Sequence, residues 1–270
     1  MKTSVLGLTC LATAALTPIA ALDVDLQTGP NEARIAAELL NQHWSNNVVI
    51  NDGSTGHLSG RFRWYDIGLH VDGYLALDGQ GNTEIGDFET TEITVRLDYL
   101  IEVEQYVQIL PFFEVTNHPF DTGRPAYMWA GVEGWYLTPL EGLEAGASIQ
   151  FNLGDTRAEG KAADPDNQIL TTLGVRYFYQ EAPLDSLVWL LSDIANTSMH
   201  KAVSGIETRG FQTIKIGGRM TLPLPWEEMW LYGQAENIWY VSSKGRDALE
   251  LAGRDRSELV FALGVEWRAE

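Results

Sequence analysis

The sequence predicts an all-β chain that closes into an antiparallel up-and-down transmembrane β-barrel of about ten strands, preceded by a short helical N-terminal segment. Three observations carry that prediction. Apolar and polar residues alternate with a period of two, long and short connections take turns along the chain, and an apolar leader is followed by no second run long enough for a membrane helix.

Composition narrows the class before any element is placed. The chain has 270 residues and is 45% hydrophobic, which sets disorder aside and allows one large domain. Asp and Glu number 37 against 18 Lys and Arg, for a formal charge of −19, and a nucleic-acid binder wants the opposite balance. Nine Trp, ten Tyr, nine Phe and 26 Gly suit many strands and turns.

The first element is the leader. Lys2 is the only charge before Asp23, and 4–22 is apolar or small throughout. A short positive start, an apolar middle and small residues at Ala20-Ala21 read as a secretory signal peptide over 1–21. Thr17 and Pro18 break the run and argue against an uncleaved anchor. Cys10, the single cysteine, lies inside the leader, so the exported chain is expected to have no disulfide and no thiol chemistry.

Segment 22–60 comes next and falls outside the strand pattern. Pro30 and Asn31 precede an expected helix over 32–44, with Ile35, Leu39 and Leu40 on its apolar face. The segment is read as a periplasmic or lumen-inserted piece. Residues 48–50 form a possible short strand, which alone would spoil the parity of the barrel.

The barrel is assigned to 61–270. In 91–101, Ile93, Val95, Leu97, Tyr99 and Ile101 share one face while Glu92, Thr94, Arg96 and Asp98 share the other. In 61–78, Tyr65, Ile67, Leu69, Val71 and Leu75 oppose Asp66, His70 and Asp72. Leu143 to Leu153 and Leu259 to Trp267 alternate in the same way. The ten segments run 61–78, 85–101, 103–117, 125–138, 142–154, 168–181, 184–195, 206–222, 227–242 and 257–268. Long polar connections fall at 78–84, 117–124, 154–167, 194–205 and 242–256. Short ones fall at 101–103, 138–142, 180–184 and 223–227. An even count puts both ends of the barrel chain on the short-turn rim.

Leader, alternating segments, alternating loop lengths and a last strand with an aromatic near its end together resemble the small outer-membrane β-barrel proteins of Gram-negative bacteria. The resemblance is to the class, porin-like, and matches no single family. It implies insertion by the barrel-insertion machinery, contact with outer-membrane lipid and lipopolysaccharide, and residence in the outer membrane. One departure is that Arg268-Ala269-Glu270 follow Trp267, where such chains commonly end on the aromatic.

The strand phases place Asp66, Asp72, Glu92, Asp98, Glu114, Glu133, Glu144, Glu236 and Glu266 inward, with Arg96, Arg176, Lys215 and Arg219. Read as lumen-lining, this acid excess makes a passage that favours small cationic solutes. A closed barrel filled by salt-bridged side chains fits the same residues, because small barrels are just filled by their own interior.

Other constellations are weaker. His43-Trp44-Ser45-Asn46 resembles the His-x-Ser-Asn string of outer-membrane phospholipases and lipid A deacylases, where His is the base and Ser the nucleophile. It precedes the barrel, so a chance string at a helix end is the plainer reading. His118 with Asp121, and Asp193 with His200, bring rim Asp and His together as in the omptin proteases, but their spacing fits no motif. The loop 155–166 carries Asp155, Glu159, Asp164 and Asp166, diluted by Arg157 and Lys161, and lacks the spacing of an EF-hand. Trp129, Trp135, Tyr136, Trp226, Trp230, Tyr240 and Trp267 near strand ends are expected to form interfacial girdles. The sequence therefore points to a non-enzymatic barrel without cofactor or metal. A barrel working through its long loops in binding or adhesion, and a secreted soluble β-barrel carrier, remain as alternatives.

Overall fold

The computed structural model describes residues 31–45, 48–78, 87–104, 106–119, 126–155, 168–181, 183–204, 208–251 and 256–269. The expected signal peptide, most of the acidic loop 155–166, Asn46 and Asp121 lie outside the described residues.

In chain order the strands are β1 (Asn31–Leu40), β2 (His43–Ser45), β3 (Val48–Asn51), β4 (Thr55–Trp64), β5 (Ile67–Ala76), β6 (Thr90–Tyr99), β7 (Ile101–Val103), β8 (Val107–Asn117), β9 (Tyr127–Leu137), β10 (Leu143–Asp155), β11 (Ile169–Glu181), β12 (Leu184–Ala195), β13 (Gly210–Pro223), β14 (Met229–Tyr240) and β15 (Ser257–Ala269). Two short helices, α1 (Thr197–Ser204) and α2 (Ser243–Leu251), sit in connections. All pairings are antiparallel. β1 pairs with β15 and β6 pairs with β8, so twelve strands close on themselves. β7 is an extra strand on β8, and β2–β3 form a separate hairpin. Closure leaves no sheet edge among the twelve, the condition for a strand structure in lipid.

The count corrects the expected ten to twelve, and both added strands lie in 31–64. Asn31–Leu40 is a strand, not a helix. Its Ala, Glu and Leu favour a helix in isolation, but a free helix of that length is marginal in water. As a strand it satisfies two neighbours at once, pairing Ala33 to Leu40 with Ala269 to Ala262 and Asn31 to Leu40 with Trp64 to Thr55. The segment read as one strand over 61–78 holds the end of β4 and all of β5. Tyr65 and Asp66 make the two-residue turn between them, with Tyr65 in the left-handed region at φ 51°. Residues 48–50 do form a strand, but β3 pairs with β2 outside the barrel wall and leaves the parity intact.

The strand ends that lead into the long connections (Leu40 and Thr55, Ala76 and Thr90, Asn117 and Tyr127, Asp155 and Ile169, Ala195 and Gly210, Tyr240 and Ser257) gather at one rim. The short ones (65–66, 100–106, 138–142, 182–183, 224–228) gather at the other, with both ends of the barrel chain. Gly142 shows why one turn is tight. It stands at φ 77°, where a Cβ would fall 2.2 Å from the Phe178 carbonyl oxygen.

The apolar face points outward. Leu39, Leu58, Ile93, Val95, Leu97, Val188, Leu190 and Phe261 are exposed, and Leu263 reaches 61%. A band of this kind far exceeds the patches that soluble proteins leave in water. Trp64, Tyr65, Tyr99, Tyr106, Tyr136 and Trp226 are exposed near the short-turn rim, where an interfacial girdle belongs. Four expected girdle residues are corrected, because strand alternation turns them away from lipid: Trp129, Trp135 and Tyr240 are buried on the inner face, and Trp230, opposite Glu266 and beneath Arg268, shares that face.

Candidate functional site

The inner wall is the candidate site, and strand register arranges its charges in rows. One row crosses five neighbouring strands: Arg268 opposes Arg34, Arg34 opposes Arg61, Arg61 opposes His70 and His70 opposes Arg96. Adjacent like charges repel, and acids around the row answer them. Glu266 receives Arg219 Nη2 at 2.7 Å and Arg34 Nε at 3.9 Å, and it also pairs with Arg268. Asp98 receives Arg63 at 2.7 Å and His70 Nε2 at 2.8 Å. Glu133 receives Arg96 at 3.1 Å and the Trp135 indole N–H at 2.7 Å.

The row nearer the long loops is acidic and aromatic. Glu38 opposes His57, His57 opposes Tyr74 and Tyr74 opposes Glu92. His57 bridges two carboxylates, with Nδ1 2.8 Å from Glu38 and Nε2 3.2 Å from Asp72. The Tyr232 hydroxyl donates to the same Glu38 at 3.2 Å. It reaches across β15 because the intervening position is Gly264, where a Cβ would stand 2.6 Å from that hydroxyl.

The remaining wall is stapled by pairs. Lys215 Nζ lies 2.7 Å from Asp193, which also accepts from Thr213 and Thr172. Arg176 donates to Glu144 at 2.8 Å and stacks 3.7 Å over Trp135. Trp189 donates to Glu236 at 2.5 Å. Between these pairs and the long-loop rim lies an inward apolar cluster of Trp129, Leu170, Ala195, Ile238, Tyr240 and Val260, on which Met199 of α1 packs.

Of the residues expected to line the lumen, Asp72, Glu92, Asp98, Glu114, Glu133, Glu144, Arg176, Lys215, Arg219, Glu236 and Glu266 are buried on the inner face, and Arg96 lies there half-buried. Asp66 is corrected: it stands exposed in the β4–β5 turn, because that turn ends the alternation extrapolated through it. Sequence reasoning missed Glu32, Arg34, Glu38, His57, Arg61, Arg63 and Arg268. The alternation Glu32, Arg34, Ala36, Glu38 was the available signal, and it also fits a helix. Asp193, expected beside His200 at the rim, points inward to Lys215, while His200 Nε2 lies 3.2 Å from the Gly210 carbonyl. His43, the candidate base, has Nδ1 3.2 Å from Thr91 and Nε2 3.7 Å from Glu92. Among the described residues, no three His, Cys, Asp or Glu are placed to hold a metal ion.

No protein-family model and no curated protein sequence matches the chain. Solved structures do. The NanC porin superposes with a TM-score of 0.52 at 10% identity, over 88% of this chain and 98% of that one. A bacterial polysaccharide outer-membrane secretin gives 0.45 at 7% identity, over 89% and 98%. Pseudomonas aeruginosa OprD gives 0.37 at 10% identity, over 88% and 66%. The likeness is one of fold: this chain has the architecture of the porin-like outer-membrane β-barrels.

Proposed function

We propose that this chain is exported behind a cleaved leader, inserts into the outer membrane, and serves there as a narrow porin-like passage for small solutes with a preference for cations. The observation that carries the reading is the inversion of the closed barrel, apolar outside and charged inside. A soluble β-barrel carrier would be built the other way round. Such a wall suits hydrated, charged solutes, and the reading assigns no catalysis and no cofactor.

The cation preference rests on the acid excess. β1, β4 and β15 bring Arg34, Arg61, Arg63 and Arg268 to the inner face against Glu32 and Glu38, so the excess is smaller than the residues expected to line the lumen suggest. The inner-face acids, Glu92, Glu114 and Glu236 among them, lie in poorly screened surroundings where each charge counts for more than in bulk water. The test is the reversal potential of the reconstituted protein across a planar bilayer under a salt gradient. Cation selectivity supports the reading, and anion selectivity sinks it.

A closed barrel acting through its long loops is the second reading. The packing of Met199 of α1 on the inward apolar cluster favours it, because that contact sets a connection against the inner face at the long-loop end. Silence in the same bilayer, with the protein folded, would select it.

A further inference from the structure

The connection between β1 and β4 does not stay at the rim. Its β2–β3 hairpin carries His43 onto the inner wall, where the imidazole is 0% exposed. The ring lies on Tyr74 at 3.8 Å between centroids and 8° between planes. The other face of Tyr74 carries His57 at 3.9 Å and 5°, so the tyrosine is sandwiched between two imidazoles. A second long connection reaches the same place: His118, just past β8, has Nε2 3.3 Å from the Glu92 carboxylate that also faces His43 Nε2 at 3.7 Å.

We propose that the β2–β3 hairpin is a pH-sensitive strap across the long-loop half of the lumen, docked while His43 is neutral and released when His43 takes up a proton. Among the described residues, the groups that face it are Tyr74, Thr91, Glu92, His57 and His118. Glu92 is the only acid among them at contact distance, and it is shared with His118. His57 already bridges Glu38 and Asp72, so a charge on His43 would stand across one tyrosine ring from another imidazole with two acids of its own. A charged imidazole there also loses its water, which the stacked ring cannot replace. These effects hold the docked His43 down to about 3, burial first, against the upward pull of Glu92. A released hairpin returns the ring to solvent and to an ordinary value near 6.5.

The sign follows from linkage. A base whose value is lowered on docking contributes docking stability that is complete above its free value and lost as pH falls below it. With one proton taken up on release, docking weakens roughly tenfold per pH unit between about 6.5 and 3. Acid therefore opens the long-loop half. This goes beyond the passage reading, and the hairpin can be followed without any current.

The test is hydrogen exchange of segment 41–54 in the detergent-folded protein at pH 7.5 and pH 5, corrected for the intrinsic pH dependence of exchange. Protection of the segment is expected to drop more than tenfold at pH 5. His43→Phe keeps a ring on Tyr74 that cannot charge, and its protection should stay level. Unchanged protection in the wild type, or the same drop in His43→Phe, overturns the strap. Bilayer conductance over the same pH range separates the two readings. A rise that His43→Phe abolishes supports both, and exchange that follows His43 with no current at any pH supports the strap while refuting the passage.

Discussion

Trp135 lies against Gly146 across the β9–β10 pair, so close that a methyl group on Gly146 would stand 2.5 Å from the indole ring. The pairing recurs. Trp189 covers Gly217, Tyr232 covers Gly264 and Phe112 covers Gly131, each pair in register on neighbouring strands. Arg176, Arg219 and Arg96 then lie over the Trp135, Tyr232 and Phe112 rings. Absent side chains thus let large rings lie along the wall, and the rings in turn carry the cations.

Gly146→Val is expected to push the Trp135 ring off the wall and disturb the Arg176–Glu144 pair stacked on it. Overpacking of this kind costs about 1–3 kcal/mol. Urea unfolding in lipid vesicles measures it, and a midpoint equal to the wild type would show that the ring has room to shift.

Lys215→Met removes the cation 2.7 Å from buried Asp193, which also accepts from the Thr172 and Thr213 hydroxyls. Removing one partner of a buried pair costs about 3–5 kcal/mol. The double variant Lys215→Met with Asp193→Leu should recover most of that loss. Equal destabilisation of single and double variants would mean that shape, not charge, holds this part of the wall.

Val95 faces outward between inward Thr94 and Arg96. Val95→Arg near the bilayer midplane should cost about 2–4 kcal/mol in vesicle folding. Full tolerance of the arginine would contradict a lipid surround for this face.

Glu114→Gln and Glu236→Gln should each lower cation selectivity, read as a smaller reversal potential under a salt gradient. Glu236 accepts from Trp189, and Gln keeps an acceptor at that contact. The preference should also shrink as salt is raised, because the screening length is only about 8 Å at 0.15 M. Selectivity unchanged in both variants would place the selective charges elsewhere.

His200, in α1 outside the barrel strands, has its ordinary value lowered by burial against the opposing hydrogen bond to the Gly210 carbonyl. Its neutral form thus contributes to docking of α1 above about pH 6.5, and that contribution fades as pH falls. Hydrogen exchange of α1 should rise at acid pH in the wild type and not in His200→Gln. A matching rise in the variant would remove His200 as the cause.

The sequence by itself determined the architecture that depends on local pattern. Period-two alternation fixed the lipid face of Ile93, Val95, Leu97 and Leu263, and loop lengths fixed the two rims. It also placed Asp98, Glu133 and Arg176 on the face opposite the apolar residues, since neighbouring side chains on a strand point opposite ways whatever the strand pairs with. Only the tertiary structure decided that Asn31–Leu40 is a strand. Its residues suit a helix equally well, and the choice is made by β4 and β15, which supply the partners that close the ring. The same holds for the hydroxyl of Tyr232 on Glu38 and the stack of His43 on Tyr74. Those contacts join residues 194 and 31 positions apart, and distances of that kind are set by closure and register, which no local pattern carries.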